Sequence, residues 1–417
     1  MKNIIGILLT FVILCFTRSC SQTPTQTTEE RIPPRALTTA ESKIVDSDNC
    51  FGIKLFKEIN KGETTKSVFI SPLSISMALG MTLNGASGAT YDSMRNTLEL
   101  AGLTEQEINE SYKSLIELLT GIDPKVKFDI ANSIWYRQGL PVEQNFVKVN
   151  KDYFNVEVKS LNFSDPSSGG VINRWVDEKT NGKIKEIVPV PIPGDVVMYL
   201  INAIYFKGLW SNQFKKENTK DDFFNLINGT RKPCKMMYNK GDFKYFENEQ
   251  LQAVDLLYGD SLFSMTILLP KRNVSIDALI GQLSKENWDS WINMLRVQEG
   301  EIYLPKFKLA YEKSLNDVLK TLGMGIVFTP YIADFSRIAK PENLGGESLY
   351  ITNVRHKSFV EVDEEGTVAA AVTSVEIGIT SVPQLFEMRV DRPFIFAIRE
   401  KSSGTILFIG KILDISS

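Results

Sequence analysis

The spacing of apolar positions along the chain follows two periods, which separate predicted helices from predicted strands. Apolar side chains that recur three or four residues apart indicate amphipathic helices; they cover residues 50–59, 105–119, 167–181, 276–295 and 311–322. Short runs rich in β-branched and aromatic residues indicate strands; they cover residues 127–136, 196–206, 263–270, 301–309, 358–362 and 405–413. Strands and helices come in blocks and do not alternate strictly, so the pattern predicts an α+β fold and not a doubly wound sheet.

A long apolar helix is predicted within residues 67–100. Ser71 has a side chain that suits a helix N-cap, and Pro72 would occupy the first turn, where a missing N–H is tolerated. The pair Asn84-Gly85 interrupts the apolar run. It predicts a break in the helix at that point.

The stretch 364-EEGTVAAAVTSVEIGITSVPQ-384 has the composition of a strand, although loop residues flank it. Residues 367–377 contain no Pro, Gly, Lys or Arg, whereas Gly366 precedes them and Pro383 follows. Alternation places residues 367, 369, 371, 373, 375 and 377 on one uncharged face. Such a face can be buried between two neighbouring strands. Taken alone, the stretch is also compatible with an ordinary buried strand.

The N-terminus has the pattern of an export signal. An apolar run over residues 4–16 is too short to span a bilayer and has the size of a secretory core segment. Cys20 and the polar spacer after it resemble a bacterial lipoprotein signal in which the cysteine is acylated, although Thr17 and Arg18 depart from the usual residues. We expect an exported protein that is lipid-anchored to the bacterial cell envelope or surface, or otherwise secreted. The expected segments are a signal peptide over 1–19, a polar linker over 20–41 and a folded domain over 42–417.

Charge and cysteine content exclude several classes of protein. A net charge of -3 and a pI near 5.6 give no basic surface of the kind that phosphate backbones require, so no nucleic-acid partner is expected. Cys50 and Cys234 are the cysteines of the predicted folded domain. Two distant cysteines do not make a disulfide framework or a metal site, so we predict packed thiols.

The chain has one histidine, His356, which limits the chemistry open to it. A serine hydrolase needs a base beside its nucleophile, and the sequence has no G-x-S-x-G motif. One histidine and two distant cysteines do not supply a zinc site, and no phosphate-binding glycine loop is present. The sequence therefore shows no recognisable catalytic, zinc or phosphate-binding site, and an exported hydrolase would need a base that is not evident. We predict that His356 is a satisfied buried imidazole.

Several short segments match one family in order and spacing. They are 71-SPLS-74, 173-NRWVDEKTNGKI-184, 202-NAIYFKGLW-210, 303-YLPKFKL-309, 356-HKSFVEVDEEGT-367, 392-RPFIFAIRE-400 and 408-FIGKIL-413. From about residue 42 to residue 417 the chain resembles the serpins, the serine protease inhibitor superfamily. The resemblance implies one domain with three β-sheets, eight or nine helices and an exposed reactive-centre loop over about 364–388.

Resemblance to serpins implies an irreversible inhibitor of serine or cysteine endopeptidases, which is itself not an enzyme and needs no metal or cofactor. The target protease cleaves the loop and is acylated, and the freed strand then enters the main sheet and distorts the enzyme before the acyl group is hydrolysed. The partner would be the covalently bound protease, and the native inhibitor would be a metastable monomer. The alternative is a non-inhibitory serpin that serves as a surface binding or carrier protein.

Insertion requires a hinge of small, uncharged residues, because a charged side chain would have to be desolvated. The matching hinge residues are Glu364, Glu365, Gly366, Thr367, Ala369, Ala370, Ala371 and Thr373. Val368 departs from the family, in which Glu is usual at this position.

The resemblance also implies residues that govern opening of the main sheet. A buried polar cluster whose hydrogen bonds can be exchanged would let two strands separate. The matching residues are Ser71, Ser74, Asn202 and His356. Trp210 matches a residue near the entry point of the hinge, although an ordinary core tryptophan would explain it equally well.

The position of the cleaved bond follows from the usual loop length of the family. Counting forward from the hinge places it at Thr380-Ser381, whereas counting back from residues 392–394 places it near Val382-Pro383. A bond before proline is disfavoured for most proteases, so we predict cleavage at Thr380-Ser381. The next candidates are Ile379-Thr380 and Ser381-Val382.

All of these candidate positions carry small or β-branched side chains. No Lys or Arg occurs between Lys357 and Arg389. An acidic trypsin-like pocket would leave its charge unpaired against such a loop. Elastase-like, subtilisin-like or papain-like targets therefore fit better.

Overall fold

Within residues 34–366 and 385–415, which the computed structural model describes, the chain forms nine α-helices and three β-sheets. The helices are α1 (Thr39–Gly62), α2 (Pro72–Leu83), α3 (Gly88–Thr97), α4 (Glu105–Gly121), α5 (Gln144–Phe154), α6 (Ser168–Lys179), α7 (Ile276–Gln282), α8 (Lys285–Met294) and α9 (Asn316–Leu319). The strands are β1 (Val68–Ile70), β2 (Val126–Arg137), β3 (Val156–Leu161), β4 (Met198–Gly208), β5 (Lys220–Asn225), β6 (Arg231–Glu247), β7 (Leu251–Tyr258), β8 (Phe263–Pro270), β9 (Arg296–Pro305), β10 (Phe307–Ser314), β11 (Arg355–Val362), β12 (Phe386–Arg389), β13 (Phe394–Glu400) and β14 (Ile406–Ile412). The predicted α+β class is confirmed.

The largest sheet has nine strands in the order β1-β14-β13-β8-β7-β6-β9-β12, with β5 paired to β6. A three-stranded sheet has the order β3-β2-β4, in which β2 is parallel to β3 and antiparallel to β4. The third sheet is the antiparallel pair β10-β11. Among the described strands, β4 and β11 are therefore edge strands of the two smaller sheets.

Helix α2 connects these sheets, because it packs against both β4 and β14. It begins after Ser71, whose Oγ accepts a hydrogen bond from the Ser74 backbone N–H at 3.2 Å, and it ends at Leu83. The predicted N-cap and the predicted break before Gly85 are confirmed. Nearly all of its side chains are buried, as expected for a helix that is apolar on every side.

One predicted strand and one predicted helix are each divided in the structure. The predicted strand over residues 301–309 is two strands in different sheets, separated at Lys306, whose backbone N–H donates to the Lys235 carbonyl at 2.9 Å. The predicted helix over residues 276–295 is α7 and α8. Ser284 caps α8, and its Oγ accepts a hydrogen bond from the backbone N–H of Asn287 at 3.2 Å.

The helix predicted over residues 311–322 is wrong in its first turn. Residues 311–314 complete β10 and pair with β11, and α9 begins only at Asn316. Pairing with a long neighbouring strand supplies the backbone hydrogen bonds here and overrides the local helical spacing. No helix in the described part of the chain is long and apolar enough to cross a bilayer.

Candidate functional site

The free edges of β4 and β11 border one elongated cavity of about 560 Å³. We call this cavity the slot; residues 198–206 of β4 and 355–361 of β11 line its two sides. Among the described residues, neither strand is paired to a further strand along this side. An edge strand presents a row of N–H and C=O groups that can pair with another strand. Within the described part of the chain, the slot therefore has an unpaired strand edge on each of its two sides.

The two faces of β4 pack against different helices, which fixes what lies above and below the slot. Ile201 and Ala203 belong to a core cluster that includes Ile172 of α6. Asn202, which points to the opposite face by the alternation of a strand, lies over α2, where its carbonyl accepts a hydrogen bond from the Ser74 hydroxyl at 3.4 Å. The slot thus lies between α2 and α6.

The four residues expected to govern sheet opening all line the slot on its α2 side. The Ser71 backbone N–H donates to Nε2 of His356 at 3.2 Å, and the Ser71 hydroxyl donates to the Leu407 carbonyl at 2.7 Å. Ser74 contacts Asn202 as described above. The hydrogen bond from the Ser74 backbone N–H to Ser71 Oγ joins these contacts, so the structure links all four residues in one chain of hydrogen bonds, and their role in opening stays a prediction.

Two polar residues of this region were missed from the sequence. Asn202 Nδ2 donates to Oδ1 of Asn132 on β2 at 2.7 Å, and the buried Ser358 hydroxyl donates to the Phe69 carbonyl at 2.6 Å. Oδ1 of Asn202 is buried without a hydrogen-bond partner among the described residues. Ser358 stands two residues after His356, on the same face of β11, and this spacing could have identified it.

Burial keeps His356 neutral. The side chain is 5% exposed, and desolvation lowers its pKa from 6.5 to about 4. Because Nε2 accepts a backbone hydrogen bond, the ring proton lies on Nδ1. The expected buried, satisfied imidazole is found, and it is not placed to act as a base at neutral pH.

The hinge begins at Glu364, a buried carboxylate held by partners from two directions. Lys306 Nζ donates to Oε2 at 2.7 Å, and the Thr219 hydroxyl donates to Oε1 at 2.9 Å. Burial alone would raise the pKa of Glu364, but these hydrogen bonds outweigh it and lower the pKa. Glu365 forms an ion pair with Lys216. The start of the hinge is thus fixed in place by charge.

Gly366 closes against the end of β4. It bridges to Leu209, its φ is +124°, and a Cβ built there would lie 2.5 Å from the Gly208 carbonyl oxygen. This close approach at positive φ requires glycine. The hinge therefore lies at the end of the slot where β4 and β11 both finish.

Trp210 lies directly beside the hinge. Its indole N–H donates to the Asp363 carbonyl at 2.9 Å, and its backbone N–H donates to the Glu365 carbonyl at 3.1 Å. The ring is buried and stacks on Tyr258 with ring centroids 4.4 Å apart. The structure places Trp210 at the predicted position, and its part in hinge entry stays a prediction.

The remaining predicted site residues lie outside the described residues. They are Thr367, Ala369, Ala370, Ala371 and Thr373 of the hinge, Ile379, Thr380, Ser381 and Val382 around the cleaved bond, and Cys20 at the lipidation site. Within residues 34–366 and 385–415, Cys50 and Cys234 are free and half-buried, and no group of three or more His, Cys, Asp or Glu side chains is arranged to hold a metal ion.

Comparison with known proteins agrees with this geometry. The family profile described as "Serpin (serine protease inhibitor)" matches residues 46–415. A serpin-like protein of Thermococcus kodakarensis is 34% identical over 379 residues, which cover 90% of this chain and 86% of that protein. The native-state crystal structure of tengpin, a thermophilic serpin, is 32% identical, with a TM-score of 0.82 over 92% of this chain and 96% of that one. The crystal structure of human thyroxine-binding globulin in complex with thyroxine is 25% identical, with a TM-score of 0.80 over 91% of this chain and 100% of that one. With this profile match, these relatives and the three-sheet fold, the chain belongs to the serpin family.

Proposed function

We propose that this protein is an irreversible suicide-substrate inhibitor of serine or cysteine endopeptidases. The observation that carries the proposal is the slot between β4 and β11, which is bordered by two strand edges that are unpaired among the described residues. A segment with the composition of a buried strand, residues 367–377, follows the hinge glycine at the end of that slot. The chain therefore supplies both the missing strand and the place for it.

The chemistry belongs to the target protease. Its serine or cysteine attacks the carbonyl carbon of the cleaved bond, the peptide bond breaks, and the leaving amine takes the proton. The new N-terminal fragment stays bound to the protease as an acyl ester or thioester. Insertion of residues 367–377 into the slot would then carry the attached protease across the molecule and distort it before water completes the hydrolysis.

The driving force is the pairing and burial of the inserted strand. Each new backbone hydrogen bond adds about 0.5–1.5 kcal/mol net. Each fully buried large apolar side chain adds about 1.5–3 kcal/mol. A strand of this length makes many such contacts on both sides, and their sum is comparable with the stability of a whole protease domain.

The substitution Thr367→Arg tests the proposal, with Val368→Arg as its matched control. Thr367 belongs to the face expected to be buried on insertion, whereas Val368 belongs to the other face. Wild type and Val368→Arg should each form a complex with elastase that survives denaturing electrophoresis, and Thr367→Arg should be cleaved without forming one. Equal complex formation by both variants would contradict insertion of this face.

The target class follows from the loop, and the location from the N-terminus. Small or β-branched residues around Thr380-Ser381 favour elastase-like, subtilisin-like or papain-like enzymes. Mass spectrometry of the fragment released by elastase would identify the cleaved bond.

We also propose that the protein is exported and attached to the membrane through a lipid on Cys20, with plain secretion as the other outcome. Metabolic labelling with a fatty acid that is present in the wild type and absent in a Cys20→Ala variant would support the anchor.

A second candidate function is that of a binding or carrier protein. Similarity to thyroxine-binding globulin, whose structure was solved with thyroxine, favours it. Under this alternative, elastase would cleave the wild-type loop cleanly and no covalent complex would form. The same electrophoresis therefore separates the two functions.

A further inference from the structure

The slot is covered on one side by α6 and the chain that follows it. Val176 of α6, together with Ile184 and Val188, lines the slot on this side. We call α6 and residues 180–197 the roof. Asn173 of α6 holds residues 180–197 in place. Its Oδ1 accepts hydrogen bonds from the backbone N–H groups of Ile187 at 2.8 Å and Val188 at 3.0 Å.

The roof is built on the β4 side of the slot. As described above, α6 shares a core cluster with Ile201 and Ala203 of β4. Thr180 at the end of α6 holds the turn that follows, because its hydroxyl oxygen accepts a hydrogen bond from the Ile184 backbone N–H at 3.0 Å. The roof and β4 therefore form one packed unit.

Lys183 connects this unit to the opposite side of the slot. Its Nζ lies 3.3 Å from Oε2 of Glu361 and 4.8 Å from the centre of the Phe359 ring, and both partners belong to β11. The two charged side chains are only 33% and 23% exposed. An ion pair and a cation–π contact thus tie the roof to β11 across the slot.

The position of this contact along the slot matters for strand entry. Glu361 stands near the end of β11, five residues before Gly366 and therefore close to the hinge. A strand that enters from the hinge end would meet this level first. The contact closes the part of the slot that must open earliest.

After cleavage, the protease is attached to the far end of the inserting strand. The strand therefore cannot pass lengthwise through the slot beneath the roof and has to enter from the side. The roof must separate from β11 while the strand enters. We propose that Lys183 is the residue that sets the rate of this separation, and with it the share of encounters that end in a trapped protease and not in a cleaved inhibitor. This inference rests on the insertion mechanism proposed above. Lys183 touches neither the protease nor the reacting atoms and acts as a positioning residue.

A matched control exists on the same acid. Lys308 Nζ lies 2.9 Å from Oε1 of Glu361, but Lys308 belongs to β10, the partner of β11 on the side away from the slot. Replacing Lys308 by Met removes a charge pair to Glu361 and leaves the connection across the slot in place. Replacing Lys183 by Met keeps an apolar side chain of similar length and removes only the connection.

The test measures insertion without any protease. A synthetic peptide with the sequence of residues 367–377, TVAAAVTSVEI, is added to the folded protein in two forms, one free and one carrying streptavidin on a C-terminal biotin, and incorporation is followed by native electrophoresis. The free form reports insertion itself, and the streptavidin form, which cannot pass lengthwise through the slot, reports separation of the roof. Loss of a half-buried ion pair and a cation–π contact corresponds to a roughly three- to tenfold faster incorporation in Lys183→Met. Lys308→Met should incorporate the peptide at the wild-type rate, and Lys183→Arg should restore that rate to within about twofold.

Further readouts separate this role from a general loss of stability. The melting temperatures of Lys183→Met and Lys308→Met should agree within about 2 °C, since losing the contacts of one lysine is a small change in the stability of a domain of this size. Elastase should cleave Lys183→Met with the same kcat/KM as the wild type. A larger fraction of the elastase should end in the covalent complex. Equal peptide rates for the two Met variants, or a slower rate in Lys183→Met, would overturn the proposal for Lys183 alone. Absence of incorporation in the wild type would overturn the insertion mechanism itself.

Discussion

Replacement of Asp48 by Asn is expected to stabilise the folded protein at neutral pH. Asp48 lies on α1, is 2% exposed, and accepts a hydrogen bond from the Tyr112 hydroxyl at 2.9 Å. Burial raises its pKa to about 7, and the hydroxyls of Tyr112 and Ser76 offset part of the rise. The fold therefore prefers the protonated carboxyl and has to bury a charge once the pH exceeds this value.

The direction and size of the effect follow from proton linkage. The folded state binds the proton of Asp48 more tightly than the unfolded chain, in which the pKa is near 3.8. The contribution to stability is complete below pH 3.8 and is lost as the pH rises to about 7. At about 1.4 kcal/mol per pH unit, the loss amounts to about 4 kcal/mol. Asn can still accept the Tyr112 hydrogen bond and stays neutral. The unfolding free energy of Asp48→Asn, relative to the wild type, should therefore be about 1–4 kcal/mol higher at pH 8 than at pH 4.

Urea unfolding followed by circular dichroism at pH 4 and pH 8 measures this difference. Tyr112→Phe is the control, because it removes the hydroxyl and keeps the acid. It should lose more stability at pH 8 than at pH 4, since the ionised carboxylate then lacks its donor. A variant Asp48→Asn whose stability relative to wild type is the same at both pH values would refute the assignment of Asp48 as a buried acid with a raised pKa.

Three further predictions concern the slot and the hinge. His356 has a lowered folded pKa, so its contribution to stability is complete above pH 6.5 and is lost as the pH falls through about 4; His356→Gln should reduce the acid sensitivity of the melting temperature, and an unchanged profile would contradict this. Gly366→Ala should lower the unfolding free energy by about 1–3 kcal/mol in denaturant titrations, because a side chain is added at positive φ against the β4 backbone; a neutral effect would show that the hinge contact is not formed in solution. Lys306→Met should lower the unfolding free energy by about 1–2 kcal/mol, because it removes a cation from the buried carboxylate of Glu364. Lys308→Met should lower it by less than about 0.5 kcal/mol, since that side chain is 56% exposed. Equal losses in the two variants would rule out a special role for the buried carboxylate.

Local patterns predicted the elements whose signals are strong and self-contained. Strand β8 was predicted with the same bounds as in the structure, and the cap and break of α2 were predicted from Ser71, Pro72 and Asn84-Gly85. Strands β5 and β6 were not predicted, because their residues alternate between a buried face and a charged, exposed face too irregularly to stand out. Strand β7 was not predicted either; it is almost entirely buried, and Asp255 interrupts its apolar run. Residues 301–309 form two strands because the chain passes from one sheet to another at Lys306. Sheet membership depends on partner strands that are distant in the sequence, so the local pattern could not show it.

For the candidate site, too, the sequence identified some residues and could not identify others. The resemblance identified Ser71, Ser74, Asn202 and His356 as a group, and the structure shows which of them are in contact. Lys183 and Glu361 lie 178 residues apart in the chain, and each looks like an ordinary surface charge in its own segment. Asp48 likewise occupies a polar position of an amphipathic helix, where burial depends on α4 packing over it. Contacts of this kind depend on tertiary packing and leave no local pattern.

The stacking of Trp210 on Tyr258 gives the molecule a built-in optical probe. Its indole N–H is engaged by the backbone of Asp363, so any displacement of the hinge changes both the stacking and the polarity around this chromophore. Of the other tryptophans of the chain, Trp135 and Trp175 lie in a second core cluster, and Trp288 and Trp291 lie on α8. A Trp210→Phe variant would identify the emission that comes from the hinge, and the course of loop movement could then be recorded by intrinsic fluorescence without attaching a dye.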